Sequence, residues 1–176
     1  MNYVLPASPG PCVICTAWAA DTETHIAADQ HAIGLVSPRP RAPGAAIVVP
    51  RAHAHSPSGL SPAQMAATWR MVQRVTWAIE AAYDPDGMHT WHDIGNEAQA
   101  SFAHLSIDLV PRFYSAPYQY RPWAGLAEAD RDTRLAAAGT LRSALERSGR
   151  RLRQAQDHTG QQSATMASNT RGSASA

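Results

Sequence analysis

The chain has 176 residues, of which 44% are hydrophobic, enough for one core of ordinary size and too little length for several domains. Fifteen basic residues, all arginine, stand against fourteen acidic ones, and a net charge of +1 gives no global field toward nucleic acid or an anionic membrane. There is neither an apolar run long enough for a bilayer nor a basic-then-apolar start, so a cytoplasmic protein is expected.

Taken in order, residues 1–10 read as an N-terminal loop broken by Pro6, Pro9 and Gly10. The only two cysteines follow at once, Cys12 and Cys15. They are too close to staple a fold, so a metal site or a redox pair is favoured over a structural disulfide. Two short strands are predicted at Thr24–Ala28 and His31–Val36, turned by Asp29 and Gln30. Gly44 to Pro50 is a run of small and β-branched residues that suits a buried strand.

A helix is predicted from Pro62 to about Tyr83. Ser61 is its N-cap, Pro62 sits at the first position and Gln64 completes a capping box. Met65, Trp69, Val72, Val75, Ile79 and Ala82 repeat at three- and four-residue spacing as its core stripe. Asp84-Pro85-Asp86-Gly87 ends it, and Met88 to Asp93 reads as a strand with His89, Trp91 and Asp93 on one face.

Ser101 to Arg112 alternates in character and is expected to form a half-buried strand. Ala103, Leu105, Ile107 and Leu109 would line one face, and Phe102, His104, Ser106 and Asp108 the other. An irregular aromatic segment follows to Trp123. The alanine-rich stretch within 124–154 looks helical, with Leu135, Ala138, Leu141 and Leu145 as its stripe, and 155–176 reads as a disordered tail.

The segment from Asp93 to Arg112 resembles the signature of the histidine triad superfamily. There a glycine-containing loop leads to a strand with three alternating histidines and a Pro-Arg pair. Asp93-Ile94-Gly95, Glu97-Ala98, Ser101 and Pro111-Arg112 carry the likeness, and Pro50-Arg51-Ala52-His53 matches the family's Pro-Arg-x-His. Of the triad only His104 is histidine; the nucleophile's position is Ser106 and the third is Asp108. The resemblance runs from Cys12 to about Phe113. It implies an α+β fold, a HIT-like antiparallel sheet of about five strands with one long helix and a C-terminal helix, in a domain spanning 11–123.

Zinc-bearing members of that superfamily complete a Cys-x-x-Cys site with two histidines, which here are His53 and His104. Four protein ligands imply a structural Zn2+ with no open position. Homodimers are common in the family. A serine at the nucleophile's place needs a neighbouring base and would form a stable phosphate ester, so covalent catalysis of the family type is not expected. The expected function is binding of a small molecule, nucleotide or nucleotide-like, at a face formed by His89, Trp91, Asp93 and Ser101. The alternatives are an enzyme that uses Asp108 and Ser106 as catalytic residues for other chemistry, and residual phosphoramidate or dinucleoside polyphosphate hydrolysis.

Overall fold

Asp29 makes the first turn of the sheet. Its Oδ1 accepts the backbone N–H groups of His31 and Ala32 at 2.8 and 3.0 Å, an Asx turn that folds β1 (His25–Ala28) back on β2 (Ala32–Val36). The computed structural model describes residues 12–95, 103–116 and 126–149. The N-terminal loop, Ser101, Phe102, the aromatic segment beyond Ala116 and the C-terminal tail lie outside the described residues. With β3 (Ala46–Pro50), β4 (Gly87–Trp91) and β5 (Ile107–Arg112) the hairpin forms one antiparallel sheet in the order β1-β2-β3-β5-β4.

Both faces of the middle strands are covered, which is why β2 and β3 are apolar throughout rather than alternating. One face carries α1 (Pro62–Tyr83). Ser61 accepts the N–H of Gln64 while the Gln64 side chain accepts the N–H of Ser61, so the capping box read in the sequence is complete. The other face is covered by the cysteine segment, whose Ile14 is 1% exposed and packs on Ile33, Leu35, Ile47 and Val49.

Val72, Val75 and Ile79 of the expected α1 stripe are buried and Ala82 packs against the same core, but the buried face is broader than expected and excludes Trp69. Ala67, Thr68, Met71, Val72, Val75, Ala78 and Ile79 are buried, and Trp69 is 47% exposed. Each residue turns about 100° around a helix, so Trp69 lies off the sheet once Thr68 and Met71 face it. The helix can lie this close because of Gly34, where an added Cβ would meet Val75 Cγ2 at 2.3 Å. Gly34→Ala is expected to destabilise the fold by roughly 1–3 kcal/mol in urea unfolding, with part of the loss recovered in the G34A/V75A chain. Equal stability of G34A and the parent chain would mean that the contact yields freely.

The second helix, α2 (residues 131–149), starts later than its alanine-rich sequence suggests because Asp130 caps it, accepting the Thr133 N–H at 2.7 Å and the Thr133 hydroxyl at 2.8 Å. Its buried Ala138 and Leu141 join the α1 side of the core. Arg142 then donates to the Glu23 and His25 carbonyls at 2.8 and 2.7 Å, fixing α2 across the start of β1.

The largest departure concerns the alternating stretch. β5 begins only at Ile107, so residues 103–106 are not strand and their side chains do not share a strand face with Asp108. The Leu105 N–H is bonded instead to the Ala54 carbonyl at 2.6 Å. At the other end β5 runs through Pro111 to Arg112. Its pairing with β3 stops at Leu109, so a residue without an N–H interrupts no ladder on that side.

Candidate metal centre and ligand face

Three chain segments meet at one edge of the second sheet face. The Cys12 knuckle leads into a short turn at Ile14–Trp18, held down by buried Ile14; His53 follows the end of β3; His104 precedes β5. Cys12, Cys15, His53 and His104 each offer one ligand atom, and all four atoms lie within 4.8 Å of one another. Cys12 Sγ is 3.5 Å and Cys15 Sγ 3.4 Å from His104 Nδ1, and Cys15 Sγ is 3.3 Å from His53 Nδ1. Ligands about 2.1 to 2.3 Å from a tetrahedral zinc are roughly 3.6 Å apart, close to these separations.

The remaining ring nitrogens fit the same reading. His104 Nε2 donates to the Pro50 carbonyl at 2.9 Å, which leaves Nδ1 as the lone-pair atom facing the sulfurs. Burial holds the His104 imidazole below its ordinary pKa, and the nearby His53 and His55 act in the same direction against the Pro50 bond, so the neutral ligand form is favoured. Burial, then the adjacent Cys12, pushes the Cys15 thiol up, as expected for two sulfurs that need a cation between them. His53 Nε2 lies 3.2 Å from His55 Nε2, so His55 orients a ligand from outside the set. This two-cysteine, two-histidine cluster is a metal-binding site consistent with structural zinc.

These contacts overturn the reading of His104, Ser106 and Asp108 as a degenerate triad in one row. His104 turns to the cysteines, Ser106 is the half-buried residue just before β5, and Asp108 is the only one of the three inside the strand. The cluster that His104 serves is the metal site.

Asp108 belongs to a second group farther along the same face. It stands opposite Ile47 on β3 and Trp91 on β4, and His89 stands opposite Val110, so His89, Trp91 and Asp108 point to one side. Met88 packs on the α1 side instead. His89 and Trp91 meet edge to face with centroids 6.1 Å apart.

Sequence reasoning missed Arg41, which comes in from the proline-rich β2–β3 connection. Its Nη1 is 3.2 Å from Asp108 Oδ1, with the two side chains only 6% and 12% exposed, and its guanidinium lies 5.1 Å from the Trp91 ring centroid. Burial pushes the Asp108 carboxyl up to about 6 even though Arg41 opposes it, and Asp93 raises it further. Asp93 is itself raised by burial, against Arg41 and His92. Arg41 therefore bonds Asp108 and acts on Asp93 through its charge. No periodic signal marks such a residue; only the need of a buried Asp108 for a cation could have pointed to it.

A sequence model of the HIT domain matches residues 20–114, over half of the chain. No curated protein matches. Among solved structures, a zinc-bound histidine triad family protein from Mycobacterium smegmatis is similar at 24% identity and a TM-score of 0.66, over 78% of this chain and 95% of that one. A hypothetical histidine triad nucleotide-binding protein from Sulfolobus tokodaii is similar at 18% and 0.67, over 77% and 93%. The diadenosine triphosphate hydrolase of Plasmodium falciparum is similar at 12% and 0.60, over 72% and 79%. At such identities the structures share the fold.

Proposed function

The chain belongs to the HIT domain family, and on that footing we propose that it binds a nucleotide or nucleotide-like small molecule without the family's histidine chemistry. One observation carries this reading: both nitrogens of His104 are already engaged, Nδ1 with the cysteine sulfurs and Nε2 with the Pro50 carbonyl. His104 is therefore not free to attack phosphorus or to take the Ser106 proton, and the nucleophile's own position holds a serine. Zinc, when bound, ties the three segments together and supplies no open coordination position.

The ligand face of this reading is His89, Trp91 and Asp93, with Ser101 at its edge in the sequence and Asp108 beneath. It lies within a HIT-like unit assigned to 11–123, and the chain pairs into a homodimer. The names of the Sulfolobus and Plasmodium structures support a nucleotide as the ligand class. No helix among the described residues is long and apolar enough to cross a membrane.

A second reading has its own support. Asp108, which burial pushes up to about 6 with Asp93 raising it further, is a carboxyl that can hold and release a proton near neutrality. Asp108 and Ser106 would then act in chemistry other than phosphoryl transfer.

Thermal unfolding of the zinc-loaded chain with nucleoside monophosphates, with and without magnesium, separates the two. A ligand at about 100 times its dissociation constant adds about 2.7 kcal/mol, which raises the midpoint by roughly 5–11 °C in a chain of this size. A shift without turnover of the same nucleotide is the expected result. No shift with any nucleotide would sink the binding reading.

A further inference from the structure

A cavity of about 540 Å³ lies on the α1 side of the sheet, under the 40–45 loop and against α2, within the size range of small-molecule sites. Val36, Pro43, Gly44, Tyr83, Arg134 and Ala137 are among the residues that line it. Val36 faces the α1 cluster, so the cavity is on the opposite face from Asp108 and the metal ligands. Arg41 bounds the cavity from the loop while its guanidinium reaches away to Asp108.

We infer that this cavity is a second small-molecule site, which takes an apolar carboxylate with its head group on Arg134. The walls are mainly proline, alanine and valine, and they suit an apolar body. Gly44 has φ +80° and approaches the Tyr83 ring so closely that a Cβ there would lie 2.7 Å from Cδ2. The ring therefore lies against bare backbone as one side of the cavity.

The polar atoms of the lining narrow the head group. Thr133 donates its hydroxyl to Asp130, and Thr140 donates to the Ala136 carbonyl at 3.0 Å, so both are occupied. Arg134 is different. Its Nε is buried with no hydrogen-bond partner, and it forms no ion pair among the described residues. A buried guanidinium Nε with nothing to bond calls for an acceptor, and a carboxylate fits the fork of which that N–H is one arm. Burial also raises the Tyr83 hydroxyl pKa, which keeps that group a neutral donor.

Calorimetric titration of the zinc-loaded full chain with octanoate and with octanol tests the site. Octanoate should bind with one equivalent, at least tenfold tighter than octanol. Arg134→Gln should remove that difference by weakening octanoate alone, and Ala137→Trp should abolish both by filling the cavity. Thr140→Trp, at an exposed helix position on the lining, replaces A137W if that chain fails to retain zinc. The nucleotide-dependent thermal shift should survive in R134Q, so failure here is distinct from failure at the sheet face. Absence of octanoate binding, equal binding of acid and alcohol in the parent chain, or unchanged octanoate binding in R134Q would overturn the inference.

Discussion

Replacing Cys15 by serine is expected to remove bound zinc and to lower the thermal midpoint by roughly 8–16 °C, on the order of 4 kcal/mol for a chain of this length. In zinc-finger peptides the metal contributes about 10–16 kcal/mol of apparent binding free energy, and there it folds the whole unit. Here the five-stranded sheet has its own core, so only part of that free energy is at stake. What the metal secures is local. It joins the cysteine knuckle to His53 and His104, residues 38 to 92 positions away in sequence, and so keeps Ile14 over Ile33, Leu35, Ile47 and Val49. Elemental analysis and unfolding with and without a chelator check it. The parent chain should lose stability on chelation, and the serine variant should have nothing further to lose. A parent chain with one equivalent of zinc and no response to its removal would show that the site does not support the fold.

The elements that were legible in the sequence are those whose determinants are neighbours in it. The capping box of α1 spans four residues, and the Asp29 turn spans four, so both could be read directly. The four metal ligands were legible only through their order in the resembling family, since Cys-x-x-Cys alone leaves redox use open. The start of β5 was not legible. The alternation from Phe102 to Leu109 satisfies a strand pattern, but Leu105 bonds to Ala54 and His104 to Pro50, partners about fifty residues away. Arg41 was hidden for the same reason: its partner is 67 residues distant, and nothing local in Pro40-Arg41-Ala42-Pro43 marks it. Trp69 failed differently, because several helical stripes fit the same apolar residues and the close approach at Gly34 selects among them.

Arg41→Met is expected to cost about 1–3 kcal/mol at neutral pH, because Asp108 loses its cation and hydrogen-bond partner and is driven further toward the protonated form. The R41M/D108N chain should recover most of this, since neither partner then carries an unpaired charge. The pH dependence gives an independent check. Asp108 titrates near 6 in the folded chain against an ordinary 3.8, so between those values the folded state holds the proton more tightly than the unfolded one. Its contribution to stability is therefore greatest in acid and declines as pH rises through about 4 to 6, by roughly 3 kcal/mol in all. Asp108→Asn lacks that proton, so its stability relative to the parent chain should climb by about this amount between pH 4 and 7. Taking the difference between the two chains cancels whatever pH dependence the metal site has, because both carry it. Urea unfolding across that range measures the difference. Parallel profiles would mean that Asp108 is not held up by burial, and the case for it as a proton-holding group would fall with it.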